Sequence, residues 1–201
     1  ISHIILEKYR LVERWRTARW DSLVANGPAW HDRFPVQEFA DISGDDFATR
    51  EEIVNYFERF ADAVKAPVRC GIEVTAVTRH SDGGFLVETN SGQIMAENVV
   101  AATGPFQTPV MPPLVPQDDA IQQMHSSEYR NPQQLRDGAV LVIGAGSSGA
   151  QIADELIRAG RRVYLAIGPH DRPPRRYRGK DFVWWLGVLG KWQMKTPPAG
   201  K

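Results

Sequence analysis

The sequence has very little cysteine, and Cys70 is the only one among its 201 residues. A single thiol excludes an internal disulfide framework and a multi-cysteine metal site, and it predicts a protein of a reducing compartment, which we take to be the cytoplasm. The sequence also has no excess charge of either sign, since 24 Lys and Arg residues balance 24 Asp and Glu residues. This balance gives no indication of a nucleic-acid partner or a membrane-surface partner.

A long hydrophobic run is absent as well. The longest apolar stretch, Phe182 to Gly190, has about nine residues, whereas a membrane-spanning helix needs roughly twenty. The chain opens on Ile1 instead of methionine, and no signal segment with a charged start and an apolar centre precedes the first strand pattern. We therefore expect no transmembrane segment, and we expect the chain to be a central part of a longer protein.

The remaining sequence alternates between strand-like and helix-like patterns. Residues 3–7 form a short apolar run that predicts a strand, and the polar stretch 8–46 predicts a long loop or a series of short turns. Thr49 and Glu52 form a capping box, and apolar residues recur at helical spacing over 53–64, which predicts a helix. Three strands of an antiparallel meander are predicted after it, at Glu73 to Arg79, Phe85 to Thr89 and Gln93 to Met95.

Prolines mark a boundary near the middle of the chain. A buried strand is predicted over Asn98 to Thr103 and ends at Gly104. Five prolines follow between residues 105 and 116, and this density is incompatible with a helix or an inner strand, which indicates a linker. The predicted organisation is a first domain over residues 1–106, a linker over 107–120 and a second domain over 121–201.

The second domain opens with a βαβ pattern. Ala139 to Ile143 predicts a strand, Ser147 to Ala159 a helix that ends at Gly160, and Arg162 to Ile167 a second strand. Such a unit is typical of parallel sheets with helices packed on them.

A glycine-rich motif joins the first of these strands to the helix. Gly144, Gly146 and Gly149 form a GxGxxG in the strand-to-helix context that makes the pattern specific for a dinucleotide. Gly144 permits a tight turn, Gly146 allows close approach of a pyrophosphate, and Gly149 allows the helix to pack against the strand. The backbone N–H groups of Ser147 and Ser148 would bind the phosphates at the helix start.

The residues after the second strand favour NADPH over NADH. An NAD-selective fold places an acid there to bind the ribose, but this sequence has Ala166, Ile167 and Gly168. A cationic stretch follows, in which Arg172 and Arg175 are candidates to bind a 2′-phosphate through bidentate contacts. The alternative is that these arginines belong to a solvated basic loop.

These motifs resemble the flavin-containing monooxygenases and their bacterial CzcO-like relatives over nearly the whole chain. The matching segments occur in the order found in that family. They are Leu6-Glu7, Arg19-Trp20-Asp21-Ser22-Leu23, Thr49-Arg50-Glu51-Glu52-Ile53, Val100-Ala101-Ala102-Thr103-Gly104-Pro105-Phe106, His125-Ser126-Ser127-Glu128-Tyr129-Arg130-Asn131-Pro132 and the Gly144 loop.

The resemblance implies which residues of the first domain meet FAD. Glu7 takes the place of the strand-end acid that binds the FAD ribose, and Trp15 and Arg16 lie near the family segment that passes close to FAD. Val74 falls in the strand whose backbone touches adenine, with plain sheet packing as the alternative for its side chain. Thr103–Gly104 matches the turn at which the chain passes beside the flavin.

The resemblance also implies two candidate catalytic residues. His125 and Tyr129 match the second half of the family's identifying segment, whereas Asp119 and Ile121 replace the phenylalanine and glycine of its first half. His125 would help to couple NADP binding to oxygen chemistry, and its alternative is a structural histidine. Asn26 is a candidate for an amide near the flavin, with a turn asparagine as the alternative.

The predicted fold class is α/β, with two Rossmann-like three-layer domains for FAD and NAD(P), both incomplete, and an antiparallel meander. The resemblance implies hydride transfer from NADPH to FAD, formation of a flavin hydroperoxide and transfer of one oxygen atom to a small organic substrate. The expected partners are that substrate and oxygen, with no metal, and a homodimer is left open. We expect the isolated chain to be inactive or nearly so, because the loop that anchors the FAD pyrophosphate would lie upstream of Ile1.

Two other functions stay open at this point. One is a flavin-dependent NAD(P)H oxidoreductase without oxygenation, although a disulfide reductase would usually need a second cysteine beside Cys70. The other is a non-catalytic module that senses NADP(H) and is linked to transport. A Baeyer–Villiger oxygenase ranks lower, because it would favour tryptophan where Tyr129 stands.

Overall fold

The computed structural model describes residues 1–104, 106–114, 116, 118–169 and 173–195. The chain forms two compact units, and neither is continuous in sequence. The first unit comprises Ile1–Leu23 and Thr49–Asp137, and the second comprises Val24–Ala48 and the described residues from Gly138 onward. The domain bounds 1–106, 107–120 and 121–201 remain a prediction about the cofactor-binding domains.

The first unit contains a parallel strand pair joined by a helix. Strand β1 (Ile5–Glu7) precedes the short helix α1 (Glu13–Thr17) and the helix α2 (Arg50–Ala63), and it pairs in parallel with β2 (Val68–Cys70). Helix α2 begins at the predicted capping box. The Thr49 N–H donates to Glu52 Oε2 at 2.7 Å, and the Glu52 N–H donates to Thr49 Oγ1 at 3.3 Å.

The meander of the first unit follows β2 and is antiparallel throughout. Its strands are β3 (Val74–Arg79), β4 (Phe85–Thr89) and β5 (Gly92–Ala96), and β4 lies in the centre. A β-bulge between Val74 and Ala76 shifts the register at the start of β3. The predicted helix and meander are therefore confirmed within one to two residues at each end.

One predicted strand of the first unit is wrong. No strand forms over Asn98 to Thr103, and the Val100 side chain is 86% exposed. The apolar run there indicates a tendency to be buried, but a strand also needs a neighbouring strand to accept its hydrogen bonds, and none of the described residues supplies one. The sequence pattern also missed β2, which is only three residues long.

The second unit is built on the predicted βαβ motif. Strands β6 (Val140–Ile143) and β7 (Val163–Ala166) pair in parallel, and helix α3 (Ser147–Arg158) connects them. Ile152, Ala153 and Leu156 form the buried face of α3. The helix ends in a Schellman motif at Gly160, with φ of 77°, where the Arg161 N–H donates to Leu156 O at 2.9 Å.

A short hairpin and a helix complete the described part of the second unit. Strands β8 (Arg176–Tyr177) and β9 (Lys180–Asp181) pair in an antiparallel manner, and helix α4 (Phe182–Val188) follows directly. The predicted α/β class with an antiparallel meander is confirmed. Among the described residues, every helix is too short or too polar to cross a bilayer.

The loop 24–48 belongs to the second unit although it lies far from the rest of that unit in sequence. Its two arms are joined by backbone hydrogen bonds, from the Ala25 N–H to Ala48 O at 2.7 Å and from the Ala29 N–H to Asp46 O at 2.8 Å. The His31 ring stacks on the Trp192 ring with centroids 5.0 Å apart. This part of the predicted loop 8–46 is thus an ordered part of the second unit.

Candidate nucleotide-binding site

The glycine motif forms a turn at the carboxyl end of β6. Gly144 adopts a φ of 99°, in the left-handed region that favours glycine, and its N–H donates to Ala166 O at 2.9 Å, which extends the pairing of β6 with β7. Gly146 is the N-cap of α3 and offers no side-chain cap. The N–H groups of Ser147 and Ser148, at the first turn, are therefore left for a ligand.

The three glycines of the motif have different steric surroundings. A Cβ atom at Gly149 would lie 1.9 Å from Gly144 O, so only glycine allows this close packing of helix on turn. A Cβ atom at Gly144 or Gly146 would meet no atom within 4 Å. The open side of the turn beside free helix N–H groups fits a pyrophosphate, because the backbone can approach the phosphate oxygens without a side chain between them.

The structure gives Arg175 a local partner. Its Nε donates to Asp181 Oδ2 at 2.8 Å, and its guanidinium carbon lies 4.6 Å from the centre of the Phe47 ring. The Asp181 side chain is only 7% exposed, and its other oxygen accepts the Val183 N–H at 2.8 Å. Arg175 therefore balances a buried carboxylate, and Arg172 lies outside the described residues.

Asn26 lies in loop 24–48 of the same unit. Its side chain is exposed and, among the described residues, makes no hydrogen bond that would hold it in a turn. The next residue, Gly27, is buried, and its N–H donates to Asp32 Oδ2 at 2.8 Å. The Asn26 side chain is thus exposed, while the backbone next to it is held by a hydrogen bond.

Glu7 lies at the carboxyl end of β1, the edge of a parallel sheet at which nucleotides bind. Its Oε1 accepts the Tyr9 N–H at 3.1 Å, and its main-chain oxygen accepts the Ile72 N–H at 3.0 Å. The second carboxylate oxygen has no such bond within the described residues. This arrangement fits an acid that accepts hydrogen bonds from ribose hydroxyl groups.

Helix α1 and the residues after it carry two buried donors that lack a protein acceptor among the described residues. Arg16 pairs with Glu58 through Nη2, but its buried Nε has no hydrogen-bond partner, and neither has the buried Trp20 Nε1. These two orphaned donors are the only ones of their kind among the described residues. Buried polar groups are usually paired with protein, ordered water or a bound group, and these two donors have no protein partner among the described residues.

Arg14 and Arg19, which the sequence analysis did not single out as site residues, lie close in sequence to these donors. The Arg19 guanidinium lies 5.4 Å from the centre of the Trp15 ring and 5.9 Å from that of Phe106. Burial lowers the pKa of Arg19, and repulsion by Arg14 lowers it further. Neither arginine has a carboxylate partner among the described residues, and each donates to a main-chain oxygen, Arg14 to Phe106 O and Arg19 to Ala18 O.

Val74 and the Thr103–Gly104 turn are the remaining segments that the resemblance places at FAD. Val74 opens β3 opposite Thr89 and is 41% exposed. Gly104 has a φ of 75°, and the Thr103 main-chain oxygen accepts the Gln107 side-chain amide. Both segments are exposed at the surface.

His125 lies in a turn whose hydrogen bonds favour one tautomer of its neutral ring. The Ser127 N–H donates to His125 Nδ1 at 3.1 Å, so the neutral ring carries its proton on Nε2. Arg130 holds this turn by donating to the main-chain oxygens of Ser127 and Tyr129 at 2.7 Å and 2.8 Å. In this tautomer the Nε2–H group of His125 is the hydrogen-bond donor of the ring.

The predicted site residues fall into two groups. The first unit holds His125 and the residues expected at FAD apart from Asn26, whereas the second holds the glycine loop, Arg175 and Asn26. In the described residues no cluster of three or more His, Cys, Asp or Glu side chains is arranged to bind a metal ion.

Residues 3–186 match the family model described as pyridine nucleotide-disulphide oxidoreductase. The chain belongs to this family. The predicted resemblance to CzcO-like proteins is confirmed by a CzcO-like oxidoreductase of Geobacillus kaustophilus, which is 41% identical over 93% of this chain and 53% of its own length. The chain thus spans about half the length of the curated relatives it matches.

Two further similarities extend to monooxygenases. The rice indole-3-pyruvate monooxygenase YUCCA1 is 29% identical over 78% of this chain and 39% of its own length. The solved structure of a flavin-containing monooxygenase from Stenotrophomonas maltophilia superposes with a TM-score of 0.71 at 21% identity, over 97% of this chain and 64% of that one. The second of these similarities concerns the fold alone.

Membership of the pyridine nucleotide-disulphide oxidoreductase family does not by itself indicate disulfide chemistry in this chain. Its one cysteine, Cys70, is free and exposed at the end of β2. A dithiol centre would need a second cysteine, which this chain does not contain.

Proposed function

We propose that the protein is an NADPH-dependent flavoprotein monooxygenase, to which this chain contributes the NADPH loop and one side of the FAD site. The observation that carries the proposal is the turn at Gly144–Gly149, which is open to a pyrophosphate at its first two glycines and sterically closed at the third. The flavin part is supported by the orphaned donors Arg16 Nε and Trp20 Nε1. Oxygenation is supported by the relatives that are named monooxygenases.

When bound, NADPH would supply a hydride and FAD would supply the flavin that activates oxygen. The residues of this chain would bind and orient these groups. The N–H groups of Ser147 and Ser148 would hold the NADPH phosphates, and Glu7 would accept hydrogen bonds from the FAD ribose. Trp15 and Arg16 would lie close to FAD, the Val74 backbone would meet adenine, and Thr103–Gly104 would lie beside the flavin.

Arg172 and Arg175 are proposed to select NADPH by contacting its 2′-phosphate. The Arg175 Nη atoms would serve this contact while its Nε stays on Asp181. The absence of an acid at Ala166, Ile167 and Gly168 supports the same preference. His125 is proposed to donate from Nε2 during the oxygen reaction, and Asn26 to present its amide near the flavin.

The test uses the purified full-length protein. We expect flavin absorbance bands, tryptophan fluorescence titrations in which NADPH binds at least about tenfold more tightly than NADH, and oxygen consumption with one oxygenated product per NADPH. Bound flavin with NADPH oxidation but no oxygenated product from amine, sulfide and ketone substrates would instead indicate an oxidoreductase without oxygenation.

Two other outcomes would contradict the proposal directly. A protein that carries no flavin and consumes no NADPH, yet binds it, would be a sensing module. Equal affinity for NADPH and NADH would contradict the roles of Arg172 and Arg175. The same titration on the isolated chain measures how much of the NADPH site these 201 residues provide.

A further inference from the structure

Gln151 of helix α3 holds both backbone groups of one distant residue. Its Nε2 donates to Val24 O at 3.0 Å, and the Val24 N–H donates to Gln151 Oε1 at 3.2 Å. The two residues are 127 positions apart in sequence, and both belong to the second unit. A side-chain amide that pairs with both groups of one peptide residue fixes the position and the direction of that residue.

The position of Gln151 on α3 connects this clamp to the glycine loop. Gln151 follows Ser147, the first residue of the helix, by one helical turn, so both lie on the same face. The side chain is partly buried, which makes replacement of its bonds by water unfavourable. Val24 is therefore held by the residue that directly follows the first turn of α3, the turn whose N–H groups are proposed to bind phosphate.

The backbone after Val24 transmits its position along the loop. The Ala25 N–H donates to Ala48 O at 2.7 Å, and Asp32 binds the Gly27 N–H. A Cβ atom at Gly27 would lie 2.1 Å from Asp32 Oδ1, which shows how closely this part of the loop is packed. Asn26 lies between these two bonded residues, so a shift at Val24 moves Asn26 with it.

We propose that Gln151 is a positioning residue that couples nucleotide occupancy of the Gly144–Gly149 loop to the conformation of loop 24–48 and to the placement of Asn26. The inference rests on the proposed function, because it requires NADP(H) at that loop. A dinucleotide phosphate bound to Ser147 and Ser148 orders the first turn of α3, and the ordered turn holds the Gln151 amide against Val24. The coupling is reciprocal, so loosening the loop weakens nucleotide binding by the same factor.

The experiment is amide hydrogen exchange on the full-length protein with and without NADP⁺. Three proteins are compared: the wild type, Gln151→Met, which keeps the length of the side chain but removes both bonds, and Asp154→Asn, an exposed change on the same helix as a matched control. In the wild type we expect NADP⁺ to slow exchange at the start of α3 and over residues 24–32, the latter about fivefold, the effect of roughly one hydrogen bond.

In Gln151→Met we expect NADP⁺ still to protect the start of α3 but no longer residues 24–32. The Kd for NADP⁺ should rise by about the same factor of five, as the reciprocity of coupling requires. Asp154→Asn should behave as the wild type in both measurements. A purely structural role of Gln151 would raise exchange over 24–32 equally with and without NADP⁺ and would leave the Kd unchanged.

The possible failures can be told apart. If NADP⁺ protects residues 24–32 of Gln151→Met as well as it protects the wild type, the proposed coupling through Gln151 is wrong. The proposed nucleotide site is not contradicted by that result. If NADP⁺ does not protect the start of α3 even in the wild type, the proposed NADP(H) site is wrong, and the coupling is wrong with it.

Discussion

At the scale of single residues, the glycines of the Gly144–Gly149 turn have separable roles. Gly149→Ala forces a Cβ atom to within 1.9 Å of Gly144 O, so we expect a loss of about 2 kcal/mol in the free energy of unfolding and weak NADPH binding. Gly146→Ala places its Cβ atom in open space, so we expect NADPH affinity to fall about tenfold with little change in stability.

Urea denaturation and fluorescence titration of the two variants measure these effects. The comparison controls for the substitution itself, because both variants add one methyl group to the same turn. If Gly146→Ala binds NADPH as the wild type does, the phosphate does not approach that face of the turn.

Arg175 combines a structural contact with a proposed role in nucleotide selection, and a second substitution separates the two. Arg175→Ala leaves the nearly buried Asp181 carboxylate without its cation, which should cost about 1–3 kcal/mol of stability. Arg175→Ala combined with Asp181→Asn should regain part of that stability, because the neutral amide needs no cation. The preference for NADPH over NADH should stay reduced in both proteins.

The measurement for Arg175 is thermal unfolding together with the ratio of the two nucleotide affinities. If the double variant regains the NADPH preference along with its stability, Arg175 acts only on Asp181.

His125 can be tested with two amides that mimic its two nitrogens. Asparagine offers an acceptor near the place of Nδ1 and should keep the bond from the Ser127 N–H, whereas glutamine reaches the place of Nε2. We therefore expect His125→Asn to keep stability within about 0.5 kcal/mol of the wild type, but to uncouple NADPH oxidation from product formation. Product yield per NADPH, measured against peroxide release, checks this.

His125→Gln should show the opposite pattern, with a weaker turn and better coupling than His125→Asn. Equal coupling in both variants and the wild type would leave His125 with the structural role only.

At the scale of secondary structure, the capping box of α2 is an independent check of the fold. Thr49→Ala removes the hydroxyl that accepts the Glu52 N–H, so we expect a loss of about 1 kcal/mol of stability. Thr49→Ser keeps the hydroxyl and should stay close to the wild type. Equal urea midpoints for Thr49→Ala and Thr49→Ser would show that the cap contributes nothing to stability.

The elements that the sequence predicted well are those whose signals are local. The capping box at Thr49 and Glu52, the glycine turns of the meander and the helix end at Gly160 depend on nearby residues, and each formed as predicted. The strand over Asn98 to Thr103 failed, because a strand depends on partners that its own sequence does not encode.

The candidate site shows the same difference between features set by nearby residues and features set by distant ones. The turn at Gly144–Gly149 was recognisable because all the residues that form it lie in one short segment. The Gln151–Val24 clamp and the orphaned Trp20 Nε1 were not, since each depends on packing between segments far apart in sequence. Arg14 and Arg19 could have been noticed from the sequence, because residues 14–20 contain three arginines and no acid.

At the scale of the whole chain, one face of the β6–β7 pair is apolar and exposed. Leu141, Ile143 and Tyr164 are each more than half exposed, at 56%, 53% and 56%, while α3 covers the other face. An apolar patch of this kind promotes association. We expect these 201 residues alone to bind the dye ANS strongly, and Leu141→Thr with Ile143→Thr to lower the ANS signal by roughly half without loss of stability.

Val142→Thr is the matched control, because Val142 lies on the face toward α3 and its substitution should cost about 1–2 kcal/mol. ANS fluorescence that is unchanged in the double threonine variant would place the apolar surface elsewhere.

The discontinuous make-up of the second unit has a consequence for its synthesis. Residues 24–48 leave the ribosome early, but α3 and Trp192, which they contact, follow more than one hundred residues later. At about 5–20 residues per second, the early segment waits for several seconds or more without its partners. During that interval Trp30 and Phe47 are exposed in a nascent chain, so we expect this segment to be where molecular chaperones bind.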